Sequence, residues 1–176
     1  ALASDRIAPH YSPPMFTGSY TALVTPFREG QVDYEAFEAL INHQAEEGID
    51  GIVPVGTTGE SPTVDASEHI EIIRHAVQFS AGRLKVVAGT GANSTSEAIY
   101  LTREAEKAGV DGSLQVCPYY NKPSQEGLYQ HFKAIAEASS LPLMLYSVPG
   151  RSVIQIDVEI KLEDVPDASA VDDALE

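Results

Sequence analysis

Apolar and polar residues follow two different periods along this chain, one typical of strands and one typical of helices. From about residue 15 onward, short runs rich in β-branched residues precede longer segments in which apolar residues recur every three to four positions. The short runs predict strands over residues 19–24, 51–55, 85–89, 112–116, 142–146 and 158–161. The longer segments predict amphipathic helices over residues 33–47, 65–80, 94–108 and 124–139. Strands that alternate with helices indicate βαβ units and a parallel sheet.

Local signals mark where these helices begin and end. Asp65 and Ser94 are each followed three positions later by a glutamate, which is the pattern of a capping box at a helix N-terminus. Gly48, Gly82 and Gly109 stand where a helix commonly ends in a left-handed residue before the next strand. The strand-helix unit therefore repeats about every 30 residues, as βαβ units do.

Regular βα repetition fits either an open doubly wound sheet or a closed barrel. The segment VAGTGANS, residues 87–94, lacks the third glycine of a dinucleotide-binding motif. Polar and aromatic side chains instead cluster just after the predicted strands, where barrel enzymes hold their active sites. A full eight-unit barrel takes about 250 residues. The 176 residues of this chain supply five such units and the start of a sixth.

Charge and composition narrow the class of partner. A net charge of −15 argues against binding to nucleic acid, which requires clustered Lys and Arg. No run approaches the roughly 18 to 20 uninterrupted apolar residues of a membrane span, so we expect no membrane partner. The single cysteine, Cys117, fits a reducing compartment. We therefore predict a cytoplasmic location, with the plastid stroma as the alternative.

Neither a metal nor a cofactor is predicted. The histidines, cysteine and carboxylates show no zinc-like spacing.

The segment GTTGES, residues 56–61, follows an apolar strand and brackets two hydroxyls with two glycines. Glycine lets backbone approach a ligand closely, and the free N–H and O–H donors suit a small carboxylate. An ordinary strand-to-helix turn has a similar composition, so this motif alone leaves both interpretations open.

Two further motifs follow later strands. In CPYYNKPS, residues 117–124, adjacent tyrosines on extended chain point opposite ways, so one can face a barrel mouth and the other a partner subunit. In LYSVPGRS, residues 145–152, a tyrosine suited to proton transfer precedes an arginine suited to clamp a carboxylate. Rings that cover a core edge and a surface arginine beside a turn are the structural alternatives.

Taken together, six motifs resemble one family in their order and spacing. MFTGS, ALVTPF, GTTGES, AGTGAN, PYYNKPSQEGLYQHFKAIAE and LYSVPGR, spanning residues 15 to about 153, resemble the dihydrodipicolinate synthases of the pyruvate-dependent Schiff-base aldolase superfamily. The resemblance implies an α/β fold, the (β/α)8 TIM barrel of the aldolase type, in incomplete form. Residues 1–14 are then a flexible N-terminal arm, residues 15–161 a partial barrel, and residues 162–176 an acidic tail left from the next loop and helix.

The resemblance also implies a reaction. Members of the family condense pyruvate with a small aldehyde, L-aspartate 4-semialdehyde, through a lysine Schiff base and without a cofactor. They act as homodimers or homotetramers. By motif, Tyr146 matches the tyrosine that moves protons and Thr57 the threonine that links it to Tyr120, which reaches across a dimer interface. Thr58 and Gly59 match the pyruvate-binding turn, and Arg151 matches the arginine that holds the second substrate's carboxylate.

Two assignments depart from the family pattern. Lys161 is the candidate Schiff-base lysine, because it lies in an Ile-Lys context after the last motif, although the helix that normally precedes it is missing. The second assignment is a lysine-inhibitor site. It departs from the pattern because Ala66 stands where regulated bacterial enzymes often have histidine. The residues that match this site are Ser61, His69, Asn93, Glu97 and Tyr119.

Other functions remain open from the sequence. One alternative is a truncated, catalytically inactive barrel that acts as an interaction or structural subunit. A related pyruvate aldolase, of the 2-keto-3-deoxygluconate, 4-hydroxy-2-oxoglutarate or N-acetylneuraminate type, is the other alternative.

Overall fold

A parallel sheet of five strands organises the chain, and the computed structural model describes residues 15–157. The strands of this sheet are β1 (Tyr20–Ala22), β4 (Gly51–Val53), β5 (Lys85–Gly89), β6 (Gly112–Val116) and β7 (Leu143–Tyr146). The helices are α1 (Tyr34–Glu46), α2 (Ala66–Ser80), α3 (Thr95–Ala108), α4 (Gln125–Ala136) and the single turn α5 (Pro149–Ser152). A small antiparallel hairpin joins β2 (Phe27–Arg28) to β3 (Gln31–Val32).

The strands lie in the order in which they occur along the chain, β1-β4-β5-β6-β7. A doubly wound sheet reverses its strand order at a switch point, whereas a barrel adds each new strand on the same side. The four helices that connect these strands also pack in sequence order, α1 on α2, α2 on α3 and α3 on α4. The described residues therefore form consecutive units of a barrel wall.

Side-chain caps explain where the helices start. In α1 to α4, the hydroxyl or carboxylate of the N-cap residue accepts a hydrogen bond from a backbone N–H of the first turn, at 2.8 Å for Asp65 and 3.1 Å for Asp33 and Ser124. The corresponding distance for Ser94 is 3.4 Å. These bonds satisfy donors that would otherwise lack a partner at a helix start. The predicted starts at Asp65 and Ser94 are thus confirmed.

The predicted glycines at the helix ends all have positive φ. Gly109 is itself the C-cap of α3, with φ +87°. Gly48 and Gly82, with φ +80° and +72°, lie one residue beyond the C-caps of α1 and α2. Glycine carries little steric cost in this conformation, so the chain turns back toward the sheet at these positions.

The main core lies between the sheet and the first helices. It is built from Leu23, which follows β1, and from buried apolar side chains of α1, β4, α2 and β5, including Phe37, Ile41, Ile52, Ile72, Ile73 and Val86. A second cluster fills the space around α4, with Leu128, Phe132 and Ile135 at its centre. Burial of these side chains is the principal force that holds the helices on the sheet.

Several elements differ from the sequence prediction. The strand predicted over residues 19–24 is confined to Tyr20–Ala22, and the helix predicted to reach residue 139 ends at Ala136. The hairpin was not predicted, because two-residue strands show no period. Its turn uses Glu29 and Gly30, which both have positive φ. The predicted strand 158–161, the arm 1–14 and the tail 162–176 lie outside the described residues.

Among residues 15–157, no helix combines the length and apolar character needed to cross a bilayer.

Candidate active site

The carboxyl ends of the parallel strands meet at one edge of the sheet, and a cavity opens there. It is lined by residues at or just after the ends of β1, β4, β5, β6 and β7: Ala22, Val53, Val55, Gly56, Thr57, Thr58, Ser61, Pro62, Gly89, Gly91, Leu114, Val116, Tyr119, Tyr146 and Arg151. Its lining combines apolar strand residues with residues that carry hydroxyl, phenol and guanidinium groups. This is the position of the active site in barrel enzymes.

The turn after β4 presents the two threonines. Val55 has φ +50°, which is a strained conformation for a β-branched residue, and it is fully buried. The chain then forms a 3-10 turn over Thr57–Gly59. Thr57 and Thr58 are both exposed on this turn and both line the cavity.

Gly59 is placed differently from the threonines. It is buried, its N–H donates to the Gly56 carbonyl oxygen at 2.9 Å, and it does not line the cavity. A Cβ at this position would lie 3.0 Å from the Leu23 carbonyl oxygen. The geometry therefore gives Gly59 a packing role beneath the turn, and its predicted contact with substrate stays a prediction.

Tyr146 and Arg151 also line the cavity. Tyr146 is the last residue of β7, and its backbone oxygen accepts a hydrogen bond from the Cys117 N–H at 3.1 Å. Arg151 lies on α5, whose first turn is closed by a bond of 2.8 Å from its N–H to the Val148 carbonyl oxygen. Both side chains line the cavity together with Thr57.

The two adjacent tyrosines are placed differently, on a turn and not on the extended chain that the sequence analysis assumed. Tyr119 is half-buried and lines the cavity, whereas Tyr120 is 86% exposed and has φ +70°. The loop that carries them is tied to the neighbouring βα loop. The Asn121 amide donates to the Asn93 carbonyl oxygen at 2.8 Å, and the Asn93 amide donates to the Tyr119 carbonyl oxygen at 3.5 Å.

Comparison with known proteins decides the family. Residues 15–175 match the Dihydrodipicolinate synthetase family. The chain belongs to this family.

Individual relatives support the assignment. Over 163 residues the chain is 58% identical to the 4-hydroxy-tetrahydrodipicolinate synthase of Nitrosomonas europaea, an alignment that covers 91% of this chain and 56% of that protein. The enzyme structure from Methylacidiphilum fumariolicum SolV superposes with a TM-score of 0.81 at 57% identity, covering 82% of this chain and 48% of that one. The Acinetobacter baumannii dihydrodipicolinate synthase, solved in complex with pyruvate, superposes with a TM-score of 0.77 at 51% identity, covering 79% of this chain and 48% of that one.

These comparisons confirm the predicted fold class, a TIM barrel of the aldolase type in incomplete form. The chain spans about half the length of the curated relatives it matches.

Beside the cavity lies a second recess that brings together most of the predicted inhibitor-site residues. It is lined by Ser61, Pro62, Val64, Ala66, His69, Gly91, Ala92, Glu97, Leu101 and Tyr119. Asn93 lies next to it through its hydrogen bond to Tyr119. Glu97 is exposed, while His69 is buried and its Nε2 lies 2.8 Å from the Gly89 carbonyl oxygen.

The protonation of two groups near these cavities follows from burial. Burial lowers the pKa of His69, so its imidazole is neutral at pH 7 and donates its Nε2–H to the Gly89 oxygen. Burial raises the pKa of the Cys117 thiol, which therefore stays protonated. A buried protonated thiol is a poor nucleophile, so Cys117 acts as a core residue.

Three residues of the site were not singled out from the sequence. Gly89 and Gly91 line the cavity. Both positions require glycine, because neighbouring backbone atoms leave no space for a Cβ. A Cβ on Gly89 would lie 2.5 Å from the Val55 carbonyl oxygen. Thr25 is buried and its hydroxyl donates to the Gly59 carbonyl oxygen at 2.7 Å. The motifs ALVTPF and AGTGAN contained the signal, but nothing in them marks which residue makes the contact.

Lys161 lies outside the described residues. Among residues 15–157, no group of histidine, cysteine and carboxylate side chains is arranged to hold a metal ion.

Proposed function

We propose that this chain forms the pyruvate-binding half of a 4-hydroxy-tetrahydrodipicolinate synthase. Such a lyase condenses pyruvate with L-aspartate 4-semialdehyde through a lysine Schiff base, the first committed step of lysine biosynthesis by the diaminopimelate pathway. The observation that carries the proposal is that Thr57, Thr58, Tyr146 and Arg151 line one cavity at the carboxyl end of the sheet. The bacterial relatives support a cytoplasmic location.

The turn at Thr57 and Thr58 suits the carboxylate of pyruvate. Both threonines are exposed and line the cavity, and hydroxyl donors bind a carboxylate more strongly than a neutral acceptor. Arg151, which lines the same cavity, supplies a cation for the carboxylate of the second substrate. The chain carries a net charge of −15, so a local cation is needed to attract an anionic substrate.

The covalent step requires a neutral amine. In the proposed reaction, the Lys161 amine adds to the pyruvate ketone, and loss of water gives an imine. Removal of a methyl proton turns the imine into an enamine, which attacks the aldehyde of the second substrate. Three described lysines are held in ion pairs, Lys85 with Asp111, Lys107 with Glu104 and Lys133 with Glu137. The hydrogen bond to Asp111 raises the pKa of Lys85, which favours its charged form.

Proton transfer is assigned to Tyr146, which stands at the cavity wall. Thr57 lines the same cavity and links Tyr146 to the second tyrosine of the relay. We assign that role to Tyr120 of a neighbouring subunit. An aromatic side chain that is 86% exposed and held at positive φ supports a residue that acts outside its own chain. A homodimer or homotetramer is the assembly this requires.

The second recess is proposed as a lysine-binding site. Its exposed carboxylate, Glu97, suits the ammonium group of an amino acid. A related dihydrodipicolinate synthase from Cyanidioschyzon merolae, 49% identical with a TM-score of 0.80, has been solved with lysine bound. Ala66 lines the recess here, so the ligand loses a polar partner that histidine would supply at that position.

Trapping with borohydride tests the proposal. The chain is treated with pyruvate and sodium borohydride, and its intact mass and peptide map are measured. We expect a stable adduct on Lys161 that a Lys161→Arg variant loses and a Lys122→Arg variant keeps. Absence of an adduct in a preparation shown to be folded would contradict the enzyme assignment. It would favour a barrel that serves as an interaction subunit.

A further inference from the structure

Thr25 is a buried hydroxyl residue that the proposed chemistry does not use. It follows β1 and is only 4% exposed. Its Oγ1 donates to the Gly59 carbonyl oxygen at 2.7 Å, across 34 positions of sequence. A buried hydroxyl with a short bond to a distant backbone oxygen fixes the distance between two loops.

The backbone around Thr25 is held on both sides. Before it, the Leu23 N–H donates to the Val53 carbonyl oxygen at 3.0 Å, which continues the ladder between β1 and β4. After it, the Pro26 carbonyl oxygen accepts from the Asp33 N–H at 2.8 Å, which closes the hairpin at the start of α1. The backbone at Thr25 is therefore held in place, and the hydrogen bond from its hydroxyl holds the turn at Gly59 relative to that backbone.

The turn itself consists mostly of local bonds. The Gly59 N–H and the Ser61 N–H both donate to the Gly56 carbonyl oxygen, at 2.9 and 3.3 Å, and the Glu60 N–H donates to the Thr57 carbonyl oxygen at 3.1 Å. These bonds shape the turn but do not attach it to the sheet. Thr25 supplies such an attachment. Gly59 allows it, because a Cβ there would lie 3.2 Å from the Thr25 Oγ1.

We infer that Thr25 is a positioning residue that anchors the turn at Gly59 and so aims the Thr57 and Thr58 hydroxyls at a small carboxylate. The inference rests on the proposed function for the identity of the ligand. The anchoring itself concerns the chain without ligand. Loss of the Thr25 hydroxyl leaves a buried carbonyl oxygen without its donor, which costs more than the loss of an exposed bond.

Amide exchange tests the anchoring without any ligand. Thr25→Val keeps the shape of the side chain and removes the donor, and Thr25→Ser keeps the donor. Thr63→Val is the matched control, because the exposed Thr63 hydroxyl also donates to a backbone oxygen, that of Glu60, at 2.9 Å. We expect exchange at Gly59 and Ser61 to rise about tenfold in Thr25→Val and less than about twofold in the other two variants.

Borohydride trapping then links the anchor to binding. In Thr25→Val, the pyruvate concentration that gives half-maximal trapping should rise about tenfold while the limiting rate changes less, and Thr25→Ser should restore it. Unchanged exchange in Thr25→Val, or an equal effect of Thr63→Val, would overturn the inference.

The two proposals fail separately. If the unmodified chain forms no adduct, the proposed function fails, and the exchange measurement still decides the role of Thr25. If Thr25→Val does not fold, the role of Thr25 is tested by NMR on the unmodified chain. A slowly exchanging Thr25 hydroxyl proton with a nuclear Overhauser contact to Gly59 supports the anchor, and its absence overturns it.

Discussion

The two ends of the parallel sheet make their turns with different residues. At the amino end, where helices lead into strands, Gly48, Gly82 and Gly109 occupy conformations with positive φ. At the carboxyl end, the turns place Val55 and Tyr120 in that same region, although both have bulky side chains. The first arrangement has little steric cost, and the second costs about 1 to 3 kcal/mol at each position.

The amino-end turns therefore favour stability, whereas the carboxyl-end turns do not. Strained residues persist only when their surroundings hold them, and they concentrate at sites of function. Val55 is held because Gly89 lets the neighbouring strand lie against its carbonyl oxygen. Lys122 and Val153 extend the pattern among the loops at the carboxyl end, whereas Ala81, next to Gly82, is an exception at the amino end.

The largest effect is expected from the core that supports both ends. Phe37 on α1 is 1% exposed, so Phe37→Ala should lower the free energy of unfolding by about 3 to 5 kcal/mol. Phe27 in the hairpin is 40% exposed, and Phe27→Ala should cost less than about 1 kcal/mol. Urea unfolding followed by circular dichroism measures both, and equal losses would contradict the assigned core.

Glycine substitutions at the two ends test the comparison directly. Gly89→Ala should lower the free energy of unfolding by about 2 to 3 kcal/mol, because the new Cβ would lie 2.5 Å from the Val55 carbonyl oxygen. Gly48→Ala meets no atom within 4 Å, so only its positive φ opposes the change, at about 1 kcal/mol. The same unfolding assay compares them, and a larger loss in Gly48→Ala would reverse the assigned difference.

Strain relief at the carboxyl end should have the opposite sign. Tyr120→Gly removes a side chain that packs little in this chain and frees a residue at φ +70°, so we expect a gain of about 0.5 to 1 kcal/mol. Val153→Gly, at φ +63° and 59% exposed, is the matched case with no proposed role in the reaction. Thermal unfolding measures both. A loss of stability in both variants would show that these conformations are not strained.

The smallest effect is expected from pH. Burial lowers the pKa of His69 and His131 from the ordinary value of 6.5, so the unfolded chain binds more protons than the folded chain below that pH. The free energy of unfolding should therefore be largest above pH 6.5 and should fall as the pH drops below 6.5, where the histidines of the unfolded chain take up protons first.

A substitution tests which histidine causes the pH dependence of the free energy of unfolding. The His131 Nε2 is buried without a hydrogen-bond partner among residues 15–157, so His131→Gln should remove part of the pH dependence. The exposed His43 on α1 provides the control variant, His43→Gln. Urea unfolding at several pH values measures the slopes, and an unchanged slope in His131→Gln would exclude this histidine as the cause.

The helices and strands that could be predicted from the sequence are those with local signals. The helix starts at Asp65 and Ser94 and the strands over residues 85–89 and 112–116 follow from caps and periodicity. The ordered motifs identified the family. The hairpin was missed because its strands are too short to show a period.

The contacts of Thr25 and Gly89 were missed for another reason. Each depends on residues more than 30 positions away in the chain, in the turn that follows β4, and a single sequence does not encode that proximity in any local pattern. The roles of the individual site residues stay predictions until a ligand is bound.

Chemical-shift mapping with pyruvate tests the central claim that the carboxyl end of this sheet is the binding end. Assigned backbone amides of the chain are followed as pyruvate is added. The account predicts saturable shifts at Thr57, Thr58 and Arg151, and none at the amino-end glycines Gly48 and Gly82. Shifts confined to the amino end, or none in a folded chain at millimolar pyruvate, would contradict it.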